Sequence, residues 1–220
     1  FGITYSVTSG TGVNINLSES NFLGRGQVLS LNLSQGMATT DAFVSFSEPA
    51  FMGRDMTFRV SGGRSSSSGN SASYNTDKLS FSPEVSFPAG EMSRLSVNLN
   101  FDKTDISNVD DNNILLNVDE GALNNLSFGY GLSYDTRKTG LNASGGVLLR
   151  FDQDFSGLAG DIDATRTAVL ALAEKTVLND SVSLRIIGEG GIYDRTNGNS
   201  RLTERFFARG KLRGFESNGI

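Results

Sequence analysis

Residues 95–102 read Leu95-Ser96-Val97-Asn98-Leu99-Asn100-Phe101-Asp102, with an apolar and a polar residue in strict alternation. Alternation of this kind places the two types of side chain on opposite faces of a β-strand. Similar segments recur along the chain and predict about eleven strands of roughly 8 to 13 residues each. The stretch 163–175 alternates less cleanly. The clearest other segments are residues 3–8, 13–18, 29–34, 56–61, 79–87, 126–134, 147–152 and 182–193.

The composition of the polar face decides where such strands belong. It is rich in Asn, Ser, Thr and Gly, with isolated charges of both signs, and it lacks the Lys and Glu that cover a solvated sheet. Small polar groups of this kind are typical of a water-filled or plugged lumen. The fold is therefore predicted to be an all-β, antiparallel, up-and-down transmembrane β-barrel, and a soluble β-sandwich or β-solenoid adhesin is the alternative. The isolated charges are Arg59, Glu84, Asp102, Arg150, Asp152, Arg185 and Glu189.

The predicted connections differ in length between the two ends of the strands. Those after even-numbered strands are mostly compact, whereas those after odd-numbered strands include the long polar segments 62–74, 103–125 and the residues from 197 onward. Short turns on one rim and long loops on the other are typical of outer-membrane barrels. Three phenylalanines near the short turns fit either an interfacial aromatic girdle or simple apolar turn plugs, namely Phe22, Phe51 and Phe87.

Composition excludes several classes of function. The chain has 220 residues, 19 Lys and Arg against 24 Asp and Glu, a net charge of -5, and no Cys or His. The acidic balance argues against nucleic-acid binding. Without Cys or His there is no disulfide framework, no Ser-His-Asp or Cys-His catalysis and no His-ligated metal. We expect no enzymatic activity, no cofactor and no metal site, and we interpret the acidic stretch 108–120 as a solvated loop.

Targeting features are also few. No stretch approaches the roughly 18 apolar residues of a membrane helix. A basic segment followed by an apolar run, which would mark a signal peptide, is not found. The sequence begins directly in a predicted strand, so it is expected to be a mature protein or an excised part of one.

The last residues carry an unusual concentration of cations and phenylalanines. The segment Arg205-Phe206-Phe207-Ala208-Arg209-Gly210-Lys211-Leu212-Arg213-Gly214-Phe215 fits neither a strand nor a helix. A loop folded back into the lumen would let an arginine pair with an inward carboxylate. Glycines in the predicted strand at Gly188-Glu189-Gly190-Gly191 would leave room for a neighbouring backbone or plug. The candidate carboxylates are Glu84, Asp102, Asp152 and Glu189.

These motifs, taken in order, resemble the BamA family of bacterial outer-membrane-protein assembly factors. Residues 1–10 and Asn21-Phe22-Leu23-Gly24-Arg25-Gly26 look like the first strands of the family barrel, and Glu48-Pro49-Ala50-Phe51 resembles its next periplasmic turn. Residues 126–146 resemble its eighth and ninth strands with their linker, and residues 205–215 resemble its sixth extracellular loop with the (V/L)RGF tip. The resemblance covers essentially the whole chain. This chain has Arg209-Gly210 where the family usually has two glycines, and a shorter run to the tip.

The resemblance implies a partial barrel, with about eleven of the family's sixteen strands. Residues 1–220 would form one transmembrane domain, without the preceding periplasmic POTRA repeats and the last strands, and residues 194–220 would form an extracellular loop that plugs the lumen. The implied location is the bacterial outer membrane, which the chain would cross several times. The carboxylates that receive the loop arginine in the family lie on later strands. The implied plug motif is Leu212, Arg213, Gly214 and Phe215.

The function implied by the resemblance is assembly and insertion of outer-membrane β-barrel proteins. The first strand would be a lateral gate that pairs with incoming strands by β-augmentation. Implied partners are unfolded outer-membrane proteins, outer-membrane lipid and, through the missing periplasmic part, the lipoproteins of the assembly machine. A TamA-like or two-partner-secretion transporter, a passive porin and a soluble β-rich adhesin are the alternatives. The implied gate residues are Gly2, Ile3, Thr4, Tyr5, Ser6, Val7 and Thr8.

Overall fold

The chain forms a single antiparallel sheet of eleven strands, whose order in space is their order in sequence. The computed structural model describes residues 1–6, 10–68, 74–109, 120–137, 145–177 and 182–197, together with residues 201, 204 and 206. This arrangement is the up-and-down meander predicted from the sequence. The strands are β1 (Gly2–Ser6), β2 (Gly10–Phe22), β3 (Gln27–Gln35), β4 (Thr39–Glu48), β5 (Thr57–Ser67), β6 (Asn75–Pro88), β7 (Ser93–Ser107), β8 (Gly121–Asp135), β9 (Gly145–Gly160), β10 (Ala164–Val177) and β11 (Val182–Arg195).

The register of the strands separates the two kinds of side chain across the whole sheet. Residues paired side by side share a face, because side chains alternate along each strand. One row of partners from β6 to β11 is almost entirely polar or glycine, and an alternate row from β6 to β10 is apolar. The polar row is Glu84, Asn98, Gly129, Asp154, Arg166 and Tyr193. The apolar row is Phe87, Leu95, Leu132, Phe151 and Val169.

The polar face is concave. A cavity of about 460 Å³ is lined from that one face by side chains that extend from Ser65 on β5 to Tyr193 on β11. A sheet can bring seven successive strands around one cavity only if it curls toward it. We call this polar side the inward face and the opposite, apolar side the outward face.

The outward face has no partner layer within the described residues. Large apolar side chains there remain open, such as Leu17 at 59 % exposure and Ile186 at 64 %. The buried apolar residues of the described chain are Ile106, Leu148, Ala164 and Leu172, far too few for a sandwich core. An apolar surface of this extent marks a membrane or protein contact. The soluble-sandwich alternative therefore does not fit the observed architecture.

The described residues contain no helix long and apolar enough to span a bilayer.

Several strands run further than the sequence pattern predicts. The predicted loops 62–74 and 103–125 begin later than expected, since β5 and β7 continue to Ser67 and Ser107, and β8 already begins at Gly121. The register also pairs Ser67 with Thr76, and their hydroxyl oxygens lie 2.7 Å apart. Backbone pairing does not require an apolar face, so these ends could not be located from alternation. The β9–β10 connection, residues 161–163, is short although it follows an odd-numbered strand, so the two rims differ less in loop length than the sequence predicts.

The irregular alternation of β10 has a structural cause. Leu170 and Leu172 share the inward face with Arg166, whereas Thr167 points outward. The Thr167 hydroxyl accepts a hydrogen bond from Gln153 Nε2 at 3.1 Å, and Gln153 Oε1 accepts one from the Tyr130 hydroxyl at 2.7 Å. These three outward polar groups are thus paired with one another, as an apolar surrounding requires.

Candidate functional site

The first strand is a short and exposed edge of the sheet. β1 pairs with β2 from Gly2↔Asn14 to Ser6↔Gly10, and the sheet order leaves its other side without a neighbouring strand among the described residues. Its outward side chains Ile3 and Tyr5 are 75 % and 77 % exposed. An edge strand presents unpaired backbone N–H and C=O groups, which are a template for another strand. With 5 residues against 13 in β2, it is also held by fewer backbone bonds.

A charged cluster occupies the inward face between β7 and β10. Arg166 Nη1 lies 3.6 Å from Asp154 Oδ2, and the two residues are direct partners in the β9–β10 register. Asn100 Nδ2 lies 3.5 Å from Asp154 Oδ1 and 3.4 Å from the Ser127 hydroxyl. Gly129, directly opposite Asp154, leaves space for the carboxylate, which occupies the position of a side chain there. The cluster fixes one cation and one anion on the cavity wall.

The chain beyond β11 returns to this inward face. Arg195, the last residue of β11, reaches the Glu204 carboxylate with its Nη1 at 3.2 Å, and the two side chains are only 13 % and 11 % exposed. The same carboxylate accepts the backbone N–H of Arg201 at 2.9 Å. Arg201 Nη1 in turn donates to the backbone oxygen of Gly121 on β8 at 3.0 Å. We call these three side chains, Arg195, Arg201 and Glu204, the return latch.

Phe206 extends this return across the inward face. Its ring lies under the Arg166 guanidinium, whose carbon is 5.0 Å from the ring centroid. The ring also covers Gly191 of β11, since a Cβ on this glycine would lie 2.5 to 2.9 Å from three ring atoms. The ring is thus held between the Arg166 cation on one side and the backbone of Gly191 on the other, and we call this contact the seat of Phe206. The sequence predicted that glycines of the 188–191 run leave room for a neighbouring backbone or plug, and Gly191 leaves room for the Phe206 ring.

Replacing Gly191 with leucine should displace the returning segment. The new side chain would need the space of the Phe206 ring, so the segment would leave the inward face. We expect trypsin added from outside to cleave after Arg201 at least severalfold faster in Gly191→Leu. Gly190→Leu is the matched control, because Gly190 points outward and has no heavy atom within 4 Å of its Cβ position. Equal cleavage of the two variants would contradict the seat.

A second ionic cluster lies where the inward face meets the short-turn rim. Glu174 Oε2 accepts the Arg185 guanidinium at 2.8 Å, and its Oε1 lies 3.9 Å from Arg137 Nη1. The Arg137 guanidinium also donates hydrogen bonds to the Asp135 carboxylate, and these raise the pKa of Arg137 above its usual value. Gly146 has φ +150 and its Cβ position lies 2.6 Å from the Arg137 Cα, so only a glycine lets the chain after β8 fold over β9 there. The cluster ties that connection to the edge strand β11.

Only some of the predicted functional residues lie among those that the structure describes. Gly2, Ile3, Thr4, Tyr5 and Ser6 form the edge strand β1, as the gate prediction requires of their position. Val7 and Thr8 lie outside the described residues, as does the whole motif Leu212 to Phe215. β11 ends at Arg195, so the predicted loop 194–220 leaves the strand after that residue.

The proposed inward carboxylates do lie on the inward face, and two of them already face a neighbouring cation. Asp102 lies 3.2 Å from Lys78 Nζ, and Glu84 lies 3.9 Å from Arg59. Asp152 faces Gly131 across the register, where its carboxylate fills the space of the missing side chain. The pairing of Arg213 with any of them stays a prediction, since Arg213 lies outside the described residues.

Sequence reasoning missed the residues that hold the returning segment. Arg166 lies in the strand whose alternation is least clear, and Arg195, Arg201 and Glu204 are scattered in a polar stretch. Two sequence features pointed to the seat: Phe206 lies in the Arg- and Phe-rich segment 205–215, and the glycines at 188, 190 and 191 have no side chains to fill a lumen.

An open meander with an apolar outward face, a polar concave inward face and a segment folded onto that face defines the wall of a transmembrane β-barrel. Residues 21–220 match the Omp85 superfamily domain. The chain belongs to the Omp85 superfamily.

Solved structures agree with this fold. The crystal structure of BamA from Haemophilus ducreyi lacking POTRA domains 1-3 matches 99% of this chain with a TM-score of 0.79 at 17% identity. CdiB from Acinetobacter baumannii matches 99% of it with a TM-score of 0.64 at 14% identity. The chain spans 45% and 42% of those two chains, respectively. These two similarities establish that the chain has the fold of a barrel wall.

Proposed function

We propose that this chain is the first part of the barrel of a bacterial outer-membrane assembly factor of the BamA type. The observation that carries the proposal is β1, which is short, lies at an edge and exposes its outward side chains. In this proposal β1 is the lateral gate, and an incoming outer-membrane strand pairs with its free backbone groups. The apolar side of the new strand enters lipid while its backbone stays hydrogen-bonded, so no covalent chemistry is required.

The proposal also assigns partners and surroundings. Clients are unfolded outer-membrane proteins, the outward face contacts outer-membrane lipid, and lipoproteins of an assembly machine bind through a periplasmic part outside this chain. The segment after β11 is the start of a lumen plug, supported by the return latch and by the seat of Phe206 on Gly191. In this view its tip, with Arg213, lies further inside the lumen.

A two-partner-secretion transporter is the second candidate, because the fold also matches CdiB. In such a protein the lumen would conduct a polypeptide, and the plug would have to leave it. The two candidates differ in what contacts β1. An assembly factor brings client strands to the edge of β1, whereas a transporter brings its substrate to the inward face.

Two single-cysteine variants, one on β1 and one on β2, test the gate. In the full-length protein without other cysteines, Ile3→Cys on β1 should form disulfides with a cysteine in the terminal strand of an outer-membrane client. Ile15→Cys on β2 is the matched control, since it shares residue type and outward face and is also exposed, at 46 % against 75 %. The proposal predicts severalfold more adduct at position 3. Equal yields at the two positions would argue against a gate at β1.

A further inference from the structure

Gly2 on β1 lies directly under the side chain of Asn14 on β2. The two residues are partners in the register, and a Cβ on Gly2 would lie 2.5 Å from Asn14 Oδ1. The amide therefore leans across β1 and occupies the space where a residue at position 2 would place its side chain. Any residue other than glycine at position 2 would push the amide away.

The Asn14 oxygen has no hydrogen-bond donor. It is buried, and it is one of the few buried side-chain oxygens among the described residues that lack a partner. The next inward residue along β2 behaves differently, since Asn16 Oδ1 accepts a hydrogen bond from Asn32 Nδ2 at 2.5 Å. An amide oxygen that is shielded from water and unpaired is destabilising, and a site of this kind favours any neighbour that brings a donor.

The geometry limits where that donor can come from. Asn14 lies on β2, with β3 on one side and β1 on the other. β1 is the edge of the described sheet, so an added strand would pair with β1 and approach Asn14 across Gly2. A residue paired with position 2 on a further strand would have its Cβ about 4.5–5.5 Å from the Cβ position of Gly2. Its side chain would then lie within hydrogen-bonding reach of Asn14 Oδ1.

We propose that Asn14, leaning over Gly2, is a specificity contact for the strand that pairs with β1. The contact accepts a hydrogen bond from a hydroxyl, amide or ammonium side chain of the client residue paired with Gly2. This inference rests on the proposed gate function and adds a chemical preference to it. Client strands carry polar residues at alternate positions, because their inward faces line a lumen, so the required donor falls on the side of the strand that faces Asn14.

The test compares two versions of one client that differ by a single methyl-for-hydroxyl exchange. The client carries Thr or Val at the position paired with Gly2, with the register first fixed by disulfide formation to Ile3→Cys. The full-length protein carries Asn14, Asn14→Leu or Asn14→Asp. With Asn14 we expect about fivefold more adduct for Thr than for Val, the effect of one hydrogen bond. The same exchange at the next inward client position serves as the control and should change the yield little.

The variants separate the contact from general effects on the barrel. Asn14→Asp retains an acceptor of nearly the same shape and should keep the preference for Thr. Asn14→Leu removes the acceptor and should abolish the preference, and Gly2→Ala should do the same by displacing the amide. Heat-modifiable gel mobility identifies the folded barrel in each case.

The outcomes distinguish this contact from the gate itself. Adducts of equal yield for the Thr and Val clients would overturn the contact and leave the gate intact. A preference for Thr that persists in Asn14→Leu would also overturn it. If neither client forms adducts at position 3 above the control at position 15, both the contact and the gate are wrong. An Asn14 contact detected only with the closing strand of the same barrel would refute the assignment to clients.

Discussion

Val44→Arg should destabilise the folded barrel by about 2–4 kcal/mol, the cost of a cation on the lipid face near the bilayer midplane. Val44 lies near the middle of β4, between Ala42 and Phe46 on the outward face. It is 46 % exposed in the isolated sheet, so lipid would contact the rest of its side chain in a membrane. The guanidinium would have to leave water or thin the bilayer locally.

Ser45→Arg is the matched control for this change. Ser45 is the next residue of the same strand and faces inward, with Ser30 and Ser61 as its partners on the adjacent strands. A cation there would enter a polar lumen between small neighbours, and we expect a cost below about 1 kcal/mol. Denaturant unfolding of the full-length protein in lipid vesicles gives both values. A larger loss in Ser45→Arg than in Val44→Arg would mean that the two faces have been assigned the wrong way round.

Glu204→Ala should cost about 3 kcal/mol, at the low end of what breaking a buried ion pair costs. The carboxylate serves the Arg195 guanidinium and the Arg201 backbone N–H at the same time, and both members of the Arg195 pair are almost fully enclosed. Its removal would leave the positive charge of Arg195 without its carboxylate on the cavity wall. We also expect the segment after β11 to become sensitive to protease, since the return latch would be broken.

Two comparisons show whether the latch itself is responsible. Glu204→Gln keeps an acceptor for the Arg201 N–H and should cost less than Glu204→Ala. Asp55→Ala removes a similar contact to Arg94 at 3.1 Å, but Asp55 is 72% exposed, so its loss should cost at most about 1 kcal/mol. The measurement is again denaturant unfolding in vesicles. Equal costs for Glu204→Ala and Asp55→Ala would show that the latch is no stronger than a surface contact.

The arrangement of the strands could be predicted from the sequence because one physical rule dominates it. In a barrel wall every strand has the same two environments, so residues such as Leu95 to Asp102 repeat the same alternation. The faces of Glu84, Asp102, Asp152 and Glu189 followed directly from this rule. The rule weakens where both faces are polar, and the true ends of β5 and β7 were missed for that reason.

The contacts on the inward face could not be predicted in the same way. The seat of Phe206 joins residues of β10 and β11 to a segment beyond them, and the Arg201 contact with Gly121 spans 80 positions. Such contacts depend on how far the sheet curls, which alternation does not encode. The sequence predicted carboxylates as the partners of the loop, whereas the described part is held by Arg166, Gly191 and the ion pair of Arg195 with Glu204.

The most direct test of the central claim, that this sheet is a membrane wall with its apolar face in lipid, is a quenching scan along β3. Single cysteines at Leu29, Ser30, Leu31 and Asn32 in the full-length protein would be labelled with a small fluorophore and reconstituted in vesicles of brominated lipid. We expect strong quenching at Leu29 and Leu31 and little at Ser30 and Asn32. Equal quenching at all four positions, or the opposite alternation, would contradict it.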